Sequence, residues 1–165
     1  MRKFLAAALT ALVAMTTFLT VPASAQVQRG GHRTPIDVDY TTVINDACEF
    51  PIMLTGHQAG FSVIVETRHG TVLQFHFREV DVFSAHGKSL TSTPYTFTNH
   101  IRFDEEGNLV SATQTGVIVR VPLPNGETFM VAGRADFFGL NTDFVISPTN
   151  GVTRNLDDFC ASLST

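Results

Sequence analysis

Apolar and polar residues alternate one by one from Phe61 to Thr67. Phe61, Val63, Val65 and Thr67 share one side, and Ser62, Ile64, Glu66 and Arg68 the other. A period of two is the mark of a β-strand. The pattern resumes after Arg68-His69-Gly70, where glycine supplies the positive φ of a short hairpin turn. Thr71 to Phe83 then predicts one long strand, with Leu73, Phe75 and Phe77 on one face and Gln74, His76 and Arg78 opposite. Past Arg78 the parity slips, because Val80 and Val82 fall on the face of His76. A bulge or bend near Arg78-Glu79 would restore it, and such bends curve sheets or close barrels.

The same reading extends in both directions. Val38–Ile44 is a strand or a short helical piece, and Phe50–Leu54 starts another strand near Pro51. Gly56–Gly60 and Ser84–Thr93 read as loops. Tyr95 to Phe103 alternates cleanly, with Asn99 placed among Tyr95, Phe97, Ile101 and Phe103. Asp104–Asn108 is a turn. Leu109–Val121 and Glu127–Asp136 are strands joined by the hairpin signal Pro124-Asn125-Gly126, and Gly116 marks a bulge or a close approach. Phe144–Ser147 is a last short strand, and Thr149–Thr153 a turn. Asn155 can cap a helix over 155–163 that puts Leu156, Phe159, Cys160 and Leu163 on one face. The fold predicted is all-β: one antiparallel domain of about eight strands, a typical number for a sheet. A curved or closed barrel is favoured over a β-sandwich, with a short C-terminal helix.

The first 25 residues follow a different pattern. Arg2 and Lys3 precede an apolar run from Phe4 to Val21, then Pro22 and the small-x-small site Ala23-Ser24-Ala25. This is the layout of a signal peptide cleaved after Ala25. The rival is an uncleaved anchor, since a span needs about 17–25 apolar residues. Pro22 and the Ala-x-Ala site favour cleavage. The domain organisation predicted is a signal peptide at 1–25, a flexible lead at 26–36 and a barrel-like domain at 37–165. Secretion places Cys48 and Cys160, the only cysteines, where they can form a disulfide.

Composition narrows the partners. Without Arg2 and Lys3 the chain holds 9 basic and 15 acidic residues, which repels phosphate backbones and anionic lipid. Nucleic acid is therefore not expected, nor is membrane insertion after cleavage; a small molecule remains possible, and a protein partner is left open. The absence of Trp and the presence of only two Tyr, Tyr40 and Tyr95, weigh against a sugar-stacking surface.

Candidate chemistry is sparse. His57, His69, His76, His86 and His100 show no metal-ligand spacing, so no metal or cofactor is expected. Gly87-Lys88-Ser89 lacks the glycine a phosphate loop needs at position 82, which is Val82. No Gly-x-Ser-x-Gly elbow occurs. Glu79 and Asp81 lie two apart on one strand face and read as a solvated acidic pair rather than a glycosidase dyad. If the polar face of the long strand lines a lumen, His76 and Arg78, with His100 and Arg102 on a nearby strand, could hold a carboxylate or small polar ligand. No catalytic residue is assigned.

Cys48-Glu49-Phe50-Pro51, the Tyr95-Thr96-Phe97-Thr98-Asn99 strand, Thr115-Gly116, and the ending with Asp158, Cys160 and Leu163 carry a resemblance. The chain resembles a loose group of uncharacterised exported actinobacterial β-rich proteins. That resemblance implies export and a β-rich fold and transfers no site residue. Three functions stay open: a small-ligand binding or carrier protein, which is favoured; a cell-envelope or extracellular interaction protein without a pocket; and a barrel-mouth enzyme using a buried group such as Glu79 or His100.

Overall fold

The computed structural model describes residues 32–137 and 148–165. The signal peptide expected at 1–25 and the strand expected at Phe144–Ser147 lie outside the described residues. Eight strands form one antiparallel sheet: β1 (Thr34–Ile44), β2 (Ile52–Thr67), β3 (Gly70–Ala85), β4 (Lys88–Thr91), β5 (Tyr95–Phe103), β6 (Leu109–Pro122), β7 (Thr128–Asp136) and β8 (Asn150–Arg154). One helix, α1 (Leu156–Leu163), follows. The pairing path is β1-β2-β3-β5-β6-β7-β8, with β4 paired to β3. The all-β antiparallel fold is as the alternation indicated. Among the described residues the sheet is not closed, and they form neither a full barrel nor a second sheet.

Several segments are more regular than their composition indicated. Thr34–Ile36 belongs to β1 rather than to a flexible lead, because it pairs with Gly60–Ser62. Gly56–Gly60 is the middle of β2 rather than a loop. The expected Ser84–Thr93 loop is a hairpin. His86 and Gly87 both have positive φ, 50° and 77°, as a two-residue hairpin turn requires, and β4 returns along β3. Asn150–Arg154 is the edge strand β8 rather than a turn. Asn155 precedes α1 in the left-handed region without a side-chain cap; its amide donates instead to the Thr128 carbonyl at 2.9 Å.

β4 and β5 run end to end along β3 and are interrupted at Ser92–Pro94. β4 pairs with Val82–Ala85 and β5 with Thr71–Glu79. Three residues, Ser92 to Pro94, thus face two, Val80 and Asp81. The irregularity sits on this partner chain. β3 itself keeps an unbroken register against β2 from Met53↔Ser84 to Thr67↔Gly70. The bulge expected near Arg78-Glu79 is absent, so Phe75, Phe77, Glu79, Asp81 and Phe83 all face inward.

The core gathers at the end of the sheet that α1 covers. Ile44, Ile52, Leu54, Phe83, Val119, Val121, Phe129 and Val131 are buried there beneath Phe159 and Leu163. The Phe159 ring stacks on Phe129 at 4.3 Å and meets Phe83 edge-on at 5.3 Å. The disulfide Cys48–Cys160, with Cα atoms 5.6 Å apart, ties α1 to the β1–β2 connection. Among the described residues no helix is long and apolar enough to cross a membrane.

Candidate functional site

Two polar constellations lie on opposite faces of the same strands. The inward one centres on Glu79 and Asp81, 3 % and 0 % exposed. Register explains how tyrosines reach them. Tyr40 on β1, Gly56 on β2 and Asp81 on β3 form one cross-strand row. Gly56 has no side chain, so the Tyr40 ring lies across β2; a Cβ there would overlap Tyr40 ring atoms. In the next row, Gln58, Glu79 and Tyr95 are aligned. Both tyrosines of the chain therefore end on this carboxyl pair.

The Tyr40 hydroxyl meets Glu79 Oε1 and lies 3.0 Å from Asp81 Oδ1. The Tyr95 hydroxyl donates to Asp81 Oδ2. Gln58 Nε2 donates to Glu79 Oε2 at 2.8 Å. The Asp81 backbone falls in the gap between β4 and β5, where Ser92 replaces the missing strand partner. Asp81 N–H donates to Ser92 Oγ at 2.7 Å, and Ser92 N–H donates to the Asp81 carbonyl at 2.8 Å. Burial first, then the Asp81 charge, pushes the Glu79 carboxyl up to about 7, against the opposing hydrogen bonds from Tyr40 and Gln58. Burial also raises Asp81, offset by hydrogen bonds from Tyr95, Glu79 and Tyr40. Burial and the adjacent carboxylates push both tyrosine hydroxyls far above their usual range.

The outward constellation is an open groove of about 570 Å³ across β2, β3, β5 and β6. Phe61, His76, Arg78, Thr96, Thr98 and Thr115 line it. Phe61, His76, Thr98 and Thr115 form one cross-strand row. The His76 ring stacks on Phe61 at 4.8 Å, and its Nδ1 lies 3.1 Å from Thr98 Oγ1. The Arg33 guanidinium lies over the Phe61 ring, 4.4 Å from its centroid. Arg78 is exposed in this groove and has no ion-pair or hydrogen-bond partner among the described residues. At Gly116, with φ 118°, a Cβ would press on the Thr96 carbonyl, so glycine permits the close strand approach beside the groove.

Of the four residues picked from sequence, the structure brings His76 and Arg78 into the groove. His100 and Arg102 share its face but lie farther along β5, opposite Gln74 and Val72, and do not line it. His57, His69 and His86 make local contacts. His57 Nδ1 lies 2.8 Å from Asp39 Oδ1, His69 Nε2 accepts from Arg68 Nε at 2.8 Å, and His86 Nδ1 lies 3.2 Å from the Leu163 carbonyl oxygen. Among the described residues, no three His, Cys, Asp or Glu side chains are placed to hold a metal ion.

Sequence reading missed the inward cluster by placing Glu79 and Asp81 in solvent. A signal was present: every second residue from Phe75 to Phe83 stays on one face if the acids are allowed inside. No protein-family profile matches this chain, and comparison with curated proteins and with solved structures finds no similar one.

Proposed function

We propose that this chain is an exported binding protein that holds a small carboxylate-bearing molecule in the β2–β6 groove. The observation that carries this reading is Arg78, a guanidinium with no counter-ion among the described residues, set beside His76, Thr96, Thr98 and Thr115. A planar guanidinium pairs with a carboxylate through two parallel hydrogen bonds, and threonine hydroxyls add donors. Phe61, fixed between Arg33 and His76, offers an apolar wall to the rest of such a molecule. Export is supported by the N-terminal residue pattern and by a disulfide that persists in oxidising surroundings.

The enzyme reading is weaker. Among the described residues, the pair of carboxyls with raised proton affinity is buried on the face opposite the groove and shares no residue with it. General acid–base work requires the group within hydrogen-bond reach of substrate.

The test uses the secreted chain. Native mass spectrometry looks for a co-purifying small molecule, and backbone NMR follows titration with acetate and benzoate, with the matching amides as neutral controls. Shifts confined to residues 76, 78, 96, 98 and 115, lost in Arg78→Gln, would support the reading. No adduct, together with no carboxylate-specific shift in those residues, overturns it.

A further inference from the structure

The inward cluster carries an inference independent of the groove. We infer that Tyr40, Gln58, Glu79, Asp81 and Tyr95 form a one-proton switch that ties the stability of the fold to pH.

The argument is a count of hydrogens. Tyr40 has a single hydroxyl hydrogen yet meets oxygens of both Glu79 and Asp81. Tyr95 spends its hydrogen on Asp81 Oδ2, and Gln58 serves Glu79 Oε2. With both carboxyls ionised, one oxygen–oxygen contact of Tyr40 has no hydrogen in it. Two negative charges would then face each other where water does not reach. With one proton on Glu79, each contact made by Tyr40, Tyr95 and Gln58 is filled. Glu79 O–H donates to the Tyr40 oxygen, Tyr40 O–H donates to Asp81 Oδ1, Tyr95 O–H donates to Asp81 Oδ2, and Gln58 N–H donates to Glu79 Oε2. A second proton, on Asp81, would displace one of the tyrosine donors. The geometry is therefore complete at one proton.

Among the described residues no cation relieves the pair. The groups that act on these carboxyls are each other, Tyr40 from β1, Gln58 from β2 and Tyr95 from β5. Ser92, from the β4–β5 gap, binds only the Asp81 backbone. Gly56, in register with Asp81, and Phe97, two residues past Tyr95 on the same face, bear no charge. None of the ion pairs among the described residues involves the cluster. Raising the pH releases the Glu79 proton to solvent and leaves two carboxylates sharing too few hydrogens.

The direction follows from linkage. Glu79 holds its proton more tightly folded than unfolded, with a folded value of about 7 against an ordinary 4.5. The stability it contributes is complete below the unfolded value and is lost as pH rises through the folded one. The window is roughly pH 4.5 to 7, where the unfolding equilibrium constant rises by up to about tenfold per pH unit.

The experiment compares the disulfide-intact chain with Glu79→Gln, in which an uncharged amide stands in for the neutral acid. Urea unfolding is followed by circular dichroism from pH 4.5 to 8.5. Wild type is expected to lose stability across the window, and Glu79→Gln to show a flatter profile. The histidines are common to both chains, so the difference belongs to Glu79. Carbon-13 NMR of the Glu79 carboxyl in wild type reads the same proton directly and needs no variant to fold. A Glu79 carboxyl that titrates in the ordinary glutamate range overturns the switch. So does a pH profile that is the same in Glu79→Gln as in wild type.

Discussion

Replacing Gly56 with alanine tests how the carboxyl cluster is held. A methyl at this position points into the Tyr40 ring, whose Cε1, Cζ and hydroxyl are the three atoms nearest to it. The backbone of Gly56 is not in the left-handed region, so alanine is conformationally acceptable. Taken alone, Gly→Ala would then stabilise by about 0.4–1 kcal/mol through the unfolded chain. The ring, however, must leave its seat. Its contacts with Glu79 and Asp81 go with it, and the one hydrogen that Tyr40 donates to an ionised carboxylate is worth about 1.5–3 kcal/mol. The expected net loss is about 1–3 kcal/mol, or a drop of roughly 3–10 °C in melting temperature for a domain of this size. The assay is a double-mutant cycle with Tyr40→Ala, read by urea denaturation. Without the ring, Gly56→Ala should become neutral or stabilising. A cost for Gly56→Ala that is the same in both backgrounds would refute the idea that glycine is there to seat the tyrosine. Because both tyrosines of the chain lie in the cluster, tyrosine absorbance gives a second, local readout.

Other variants test the rest of the structure. Phe159→Ala removes a fully buried ring between Phe83 and Phe129 and should cost about 3–5 kcal/mol by chemical denaturation. Replacing both Cys48 and Cys160 with serine opens a link across 112 residues; the chain-entropy value is about 4–5 kcal/mol, and calorimetry should show a large fall in melting temperature. Ser92→Ala removes the acceptor of the Asp81 N–H in the β4–β5 gap and should cost about 1–3 kcal/mol, with hydrogen exchange at Asp81 accelerated.

Much of the fold was legible because alternation reports burial. Tyr95 and Phe97 are buried on the face their parity assigns, and Leu156, Phe159, Cys160 and Leu163 share the helix face that meets the core. The segments misread are those where burial does not follow polarity. β8, Asn150–Arg154, is exposed at every position, so it carries no apolar period; backbone pairing to β7 alone makes it a strand. Gly56–Gly60 looks like a loop because glycine breaks strands on average, yet Gly56 is needed where a ring crosses β2. Glu79 and Asp81 were assigned to solvent because lone carboxylates are costly to bury. The cost falls when donors are supplied, and those donors come from Tyr40 and Tyr95, 39 and 14 residues away in the chain. Only tertiary structure reveals that pairing. His76 and Arg78 were visible as a polar strand face. Their neighbours Thr98 and Thr115 were not, because register between β3, β5 and β6 selects them.

The unclosed sheet has a consequence for behaviour in concentrated solution. β1 runs for 11 residues and pairs on one side with β2; the described residues place nothing against its other side. A bare strand of that length invites another copy to add to it. Pro35 lacks the N–H such an addition would use, and Asp37 and Asp39 stand out on the same strand, both largely exposed. Two copies meeting β1 to β1 in antiparallel fashion would crowd their aspartates together. These like charges oppose such pairing, so colloidal stability should weaken as salt rises and screens them.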